Sequence, residues 1–218
     1  MSLRSPNPPP KNADRLKFES KFFTAITHWY PPLNVTVHFC AHLCEVIAVL
    51  AREYPSPFSN RVLSTLFKDT ANVDNLAVSP TFVVGFLLLV LGAAWRKKCY
   101  DTLGRFFTFQ LAVHKEHKLI TTGPYAIVRH PSYTAFLIMD IGCLMVLMFP
   151  GSYVYECGML PTPWSTICVA LVGIVHISLG LMVFKRIRVE DSFLREEFGS
   201  EWDAWARKTP YVLIPYVF

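Results

Sequence analysis

Apolar residues collect in four stretches, Leu33 to Ala51, Pro80 to Trp95, Tyr133 to Phe149 and Trp164 to Phe184, with polar segments between them. At 1.5 Å per residue, each is near the length a helix needs to cross about 30 Å of hydrocarbon. The pattern therefore predicts about four membrane-spanning helices. The first stretch carries His38, His42 and Glu45. These should face other helices, because a charge at mid-bilayer costs at least about 2.5 to 3.5 kcal/mol. The third and fourth stretches should form a helical hairpin, since the linking FPGSYVYECGMLPTPW is rich in glycine, proline and interfacial aromatics.

Beyond Phe184 the periodicity continues. Ile187, Phe193, Leu194 and Phe198 recur at roughly helical spacing, and Gly199 can end the helix. A second short helix should follow, stopped by Pro210. Its Trp202 and Trp205 would lie at the headgroup level or cap the cytosolic loop that precedes Tyr133. Arg186 and Glu190 are four residues apart and so share a helix face, from which Glu190 can project into a site.

Composition agrees with a bilayer. With 52% hydrophobic and 17% charged residues, the chain is too apolar for an ordinary soluble domain of 218 residues. The fold class expected is an all-α integral membrane protein. Lysine and arginine number five in residues 1–27, three in 52–78, seven in 96–132, none in 150–163 and six in 185–218. Because cytosolic loops retain positive charge, both termini and the segment before Tyr133 are expected on the cytosolic side.

This topology, with anionic headgroups as partners, accounts for the net charge of +5, so nucleic acid is not an expected partner. The Pro-rich, basic SPNPPPKNADRLK lacks the apolar core of a cleavable signal, and residues 1–27 read as a disordered cytosolic tail. Residues 28–102 then hold the first spans and 103–218 the functional core. Cys40, Cys44, Cys143 and Cys168 fall in apolar spans and Cys99 on the cytosolic flank, which favours free thiols over disulfides.

Candidate chemistry concentrates between Gln110 and Tyr133, QLAVHKEHKLITTGPYAIVRHPSY. Turns at Gly123-Pro124 and His130-Pro131 would bring Tyr125, Arg129, His130 and Tyr133 together, since a residue before proline is pushed out of helical geometry. The same residues could instead anchor the third span at the interface. Lys185, Arg186 and Arg188 could likewise be a positive cuff, neutralised by Glu190 and Asp191. HFCAHLCE suggests a metal site, but Cys40 points about 200° from His38 around a helix, so one ion cannot collect all four candidate ligands. No metal is expected there, and packing with interhelix hydrogen bonds accounts for the polarity.

Taken in order, LITTGPYAIVRHPSY, an apolar hairpin, and RIRVED followed by FGSEWDAWARKTP resemble the isoprenylcysteine carboxyl methyltransferase family, over about Leu103 to Pro215. The first two spans add only compatible hydropathy. The resemblance implies a cytosolic pocket for S-adenosyl-L-methionine, built by the loop and the C-terminal helices. Gln110, His117, Lys118, Leu119, Ile120, Tyr125, His130, Pro131, Ser132, Tyr133 and Glu190 would line it. Arg186 would receive the substrate carboxylate, being permanently charged and able to grip both oxygens. Ala135, where the family has glycine, and Asp191, where it usually has a second glutamate, depart from the pattern.

The implied reaction is methyl esterification of the C-terminal carboxylate of prenylated, CaaX-processed proteins or prenylcysteine, in a membrane such as the endoplasmic reticulum. Membrane lipids are the other implied partners. A phospholipid N-methyltransferase or other small lipid methyltransferase is the first alternative, although Arg186 would repel a cationic headgroup. An NADPH-dependent sterol reductase and a non-enzymatic membrane scaffold are further alternatives. A scaffold would show no saturable small-molecule binding.

Overall fold

A computed structural model describes residues 21–106, 118–158 and 163–217. Among them, all regular structure is helical: α1 (Lys21–Glu53), α2 (Pro57–Leu66), α3 (Pro80–Leu103), α4 (Pro131–Met148), α5 (Tyr153–Glu156), α6 (Pro163–Phe198) and α7 (Ser200–Lys208). Three segments, His28–Glu53, Pro131–Glu156 and Val169–Phe198, are long and apolar enough to cross a membrane. The remaining expected stretch, Pro80 to Trp95, lies in α3, which is not among these three; Arg96, Lys97 and Lys98 end its apolar run. Residues 1–20 of the expected tail lie outside the described residues, and α1 already begins at Lys21.

Local chemistry sets several helix ends. Pro57 opens α2 behind Ser56, whose side chain accepts from the Ser59 N–H at 3.0 Å. Pro131 opens α4 at a position where its missing N–H removes no helical hydrogen bond. Gly199, at φ +50°, separates α6 from α7 in a conformation that favours glycine.

The chain divides into two compact units. One comprises Leu33–Val90 and Met139–Leu179. Its apolar core joins Ala48, Ala51, Leu63, Phe67, Val73, Leu76 and Cys157. Here α3 and α4 meet backbone to backbone, because a Cβ placed on Gly142 would lie 2.8 Å from the Gly85 carbonyl oxygen. Small residues permit such approaches between helices in lipid.

The same unit holds a buried polar pair, with His176 Nδ1 2.6 Å from Asp140 Oδ1. On α1, His42 lies 3.6 Å from Glu45, and Glu45 accepts from the Tyr153 N–H at 3.4 Å. Glu45 thus reaches another helical segment, as expected of the polar groups in the first span, whereas His42 pairs within α1 and His38 Nε2 is buried without a hydrogen-bond partner. Among the described residues no cluster of three metal-ligating side chains occurs, and Cys40, Cys44, Cys99, Cys143 and Cys157 are free thiols. The Cys168 side chain lies outside those described.

The other unit comprises residues up to Pro32, Leu91–Ile138 and Gly180–Phe218. Cys99, Tyr125, Trp202 and Trp205 form one buried cluster, against which Leu119, Ile120, Leu194 and Phe198 pack. The α7 tryptophans therefore cap the loop before α4 instead of facing outward. Each such aromatic removes about 150 to 250 Å² from water when buried. A second cluster, Val183, Ile187 and Leu213, packs against Tyr133, Phe136 and Leu137 and ties α6 to the start of α4.

Candidate functional site

Every described residue expected to hold a ligand lies in this second unit. The loop begins its final approach with a 3-10 turn at Gly123–Ala126, entered through Gly123 at φ +60°. Tyr125 is buried there, and Trp205 Nε1 donates to its carbonyl at 3.1 Å. Val128 and Pro131 are wholly buried. Between them, the N–H groups of Arg129 and His130 donate to the carbonyls of Tyr211 and Val212, both at 2.9 Å. Thr134 Oγ1 then donates to the Leu213 carbonyl at 2.7 Å. The C-terminal segment thus ties down the backbone before Pro131 and the Thr134 side chain after it.

From α3, Arg96 Nη1 donates to the Ser132 carbonyl at 2.9 Å, while its Nε donates to Tyr100 Oη. This buried guanidinium also lies over the rings of Tyr100 and Phe136, at 5.4 and 5.6 Å. A cation in that position restrains the start of α4 through the Ser132 carbonyl and the Phe136 ring.

On this scaffold a chain of polar side chains links the loop to α6. Arg186 Nε donates to Tyr133 Oη at 3.3 Å, and Tyr133 Oη donates to Glu190 Oε2 at 2.6 Å. The His130 ring stacks on Tyr133, with centroids 5.7 Å apart and planes 23° apart. Its Nδ1 is 3.9 Å from Glu190 Oε1, and its Nε2 is 2.9 Å from Asp191 Oδ1. Arg129 Nη1 lies 3.4 Å from the other Asp191 oxygen, with its guanidinium 5.6 Å from the Trp202 ring. Burial pushes the Tyr125 phenol far above its ordinary pKa, and the neighbouring Cys99, Glu190 and Tyr133 add to the shift against Arg96. Tyr125 remains a neutral hydrogen-bonding group at any physiological pH.

The expected residues divide into two groups. His130, Tyr133, Arg186 and Glu190 form the polar chain, with Pro131 and Ser132 supplying the helix start beside it. Leu119, Ile120 and Tyr125 belong to the apolar cluster, whereas Lys118 is exposed. Gln110 and His117 lie outside the described residues. Ala135 is completely buried in α4.

Sequence reasoning missed Arg96, the Tyr211–Leu213 carbonyls and the pairing of Asp191 with His130. Only the adjacency of Glu190 and Asp191 hinted at the last. Consecutive helical residues point about 100° apart, so two carboxylates can serve two different loop residues.

Donor chemistry can be tested against these groups. Glu190 presents carboxylate oxygens, Tyr125 and Tyr133 present aromatic surface, and Arg129 Nε and Trp202 Nε1 are buried donors without a protein partner. Carboxylates and rings suit the hydroxyl, amino and sulfonium groups of an S-adenosyl ligand. The residues present therefore fit that cofactor class.

The family model for isoprenylcysteine carboxyl methyltransferase matches residues 83–196, which include the RHPSY turn, the hairpin, Arg186 and Glu190. The chain belongs to this family. A probable protein-S-isoprenylcysteine O-methyltransferase of Oryza sativa subsp. japonica is 37% identical over 127 residues, covering 57% of this chain and 56% of that protein. Protein-S-isoprenylcysteine O-methyltransferase B of Arabidopsis thaliana is 33% identical over 128 residues, covering 58% and 55%. The Saccharomyces cerevisiae protein-S-isoprenylcysteine O-methyltransferase is 32% identical over 200 residues, covering 88% and 73%. The chain thus spans about half the length of the plant relatives and more of the yeast protein. Family membership bears out the resemblance carried by the loop and tail motifs.

Proposed function

We propose that the protein methylates the C-terminal carboxylate of prenylated cysteine, using S-adenosylmethionine and giving a methyl ester. One observation carries the reading: Tyr133 joins Arg186 to Glu190, so a cation suited to a carboxylate and an anion suited to a methyl donor share one phenol. Family membership supports the same chemistry.

When bound, S-adenosylmethionine supplies an electrophilic methyl group. Glu190, Tyr133, Tyr125 and His130 would hold it, with Leu119 and Ile120 forming an apolar wall; Gln110, His117 and Lys118 complete the proposed lining. Arg186 would receive and aim the acceptor carboxylate. That group is already ionised at neutral pH, so the chain needs no general base. Its residues contribute alignment and exclusion of water. In this reading four helices, α3 included, cross the membrane, with both termini and the polar chain on the cytosolic side, and the prenyl group arrives from the lipid.

Membrane attachment gives the reaction a physical purpose, because removing the carboxylate charge strengthens the hold of a single lipid chain. The deciding assay offers detergent-solubilised protein radiolabelled S-adenosylmethionine with farnesylcysteine, geranylgeranylcysteine or phosphatidylethanolamine. Base-labile methyl ester on a prenylcysteine is the expected product. Label confined to phosphatidylethanolamine, or no transfer at all, would overturn the proposal.

A further inference from the structure

Asp191 lies next to Glu190 but faces different partners. Its Oδ1 is 2.9 Å from His130 Nε2 and its Oδ2 is 3.4 Å from Arg129 Nη1. An ionised carboxylate can only accept hydrogen bonds, so the proton in the first contact must sit on Nε2. In a neutral imidazole this leaves Nδ1 with its lone pair. That nitrogen is 3.9 Å from Glu190 Oε1.

We propose that Asp191, held by Arg129, is a positioning residue that fixes the Nε2-protonated form of His130. His130 Nδ1 and Glu190 then form a paired acceptor for N–H or O–H groups of the methyl donor. This deepens the proposed function and rests on it. Two acceptors at that separation can both receive hydrogen bonds from one amino group or from a pair of neighbouring hydroxyls, each bond being about 2.7 to 3.2 Å.

Four further contacts restrain the arrangement. The Arg129 guanidinium lies over Trp202, the Arg129 and His130 N–H groups are tied to the Tyr211 and Val212 carbonyls, and the His130 ring is stacked on Tyr133. Without Asp191 the ring keeps its place but loses the partner that selects its tautomer. A histidine oriented through its second nitrogen is a common device for directing the first. If Asp191 and Arg129 merely formed a structural ion pair, their removal would change stability and leave both the tautomer and donor affinity alone.

The test uses full-length protein labelled with ¹⁵N-histidine in detergent micelles, with His130→Gln identifying the resonances. The wild type should show the Nε2-protonated tautomer without any ligand. Asp191→Ala should give a mixture of tautomers and bind S-adenosylhomocysteine about tenfold more weakly by titration calorimetry. In the methyl-transfer assay its KM for the donor should rise similarly while kcat changes by less than about threefold. Asp191→Glu should restore both affinity and tautomer.

An Nδ1-protonated ring in the wild type, or unaltered donor affinity in a folded Asp191→Ala, would overturn the inference. Should that variant fail to fold, the wild-type tautomer still decides. Failure of the wild type to bind S-adenosylhomocysteine would defeat the methyl-donor reading, whereas the ligand-free tautomer tests His130 positioning separately.

Discussion

Two polar arrangements in this protein, one buried and one partly exposed, differ in what they leave available. Asp140 and His176, on α4 and α6, meet at 2.6 Å within apolar helical stretches and engage each other side chain to side chain. The chain through Arg129, Asp191, His130, Tyr133, Glu190 and Arg186 instead branches, and buried N–H groups of Arg129 and Trp202 remain without protein partners. The first arrangement suits holding helices together. The second suits receiving a ligand, because a site must keep unused hydrogen-bonding capacity that a structural pair cannot leave unpaired at low cost.

Removing one member of the structural pair should have the largest effect. Asp140→Ala leaves His176 without this partner and should destabilise by about 3 to 5 kcal/mol. Thermal unfolding in micelles would read it, and an Asp140→Leu, His176→Leu double variant should recover much of the loss. If the single variant unfolds like wild type, the pair is not a fastening and the contrast between the two arrangements collapses.

A smaller effect is expected in the branched chain. Tyr133→Phe keeps the ring stacked on His130 but deletes the phenol between Arg186 and Glu190. Donor-analogue affinity should fall about tenfold, equivalent to about 1.4 kcal/mol, with a smaller change in melting temperature. A large loss of stability with unchanged affinity would make this chain structural as well, and would break the comparison from the other side.

The two arrangements also differed in how readable they were. Long apolar spans are legible because bilayer thickness imposes a length on them: α1 and α6 contain the expected stretches, and α4 contains the third but for Phe149. The turns at Gly123 and Pro131 were legible for a local reason, since glycine and proline restrict or free particular backbone angles. Pairing Asp191 with His130 across 61 residues was not, because it depends on how helix and loop pack.

Trp202 and Trp205 show the intermediate case. Periodicity placed them near one face of a short helix but could not say whether that face met lipid headgroups or the loop; burial against Tyr125 settled it. The Tyr211–Leu213 carbonyls carried no signal at all, because irregular backbone can accept hydrogen bonds whatever its side chains are. For Glu190 and Arg186 the motif supplied candidate roles, while the geometry added that both act on the same phenol.

That shared phenol makes the proposed division of labour the point most open to attack. Titrating S-adenosylhomocysteine into Glu190→Ala and Arg186→Ala, beside the wild type, tests it directly. The account predicts about tenfold or greater loss of affinity for Glu190→Ala, and for Arg186→Ala a change within about threefold accompanied by impaired use of prenylcysteine. Equal loss of affinity in both variants would contradict it.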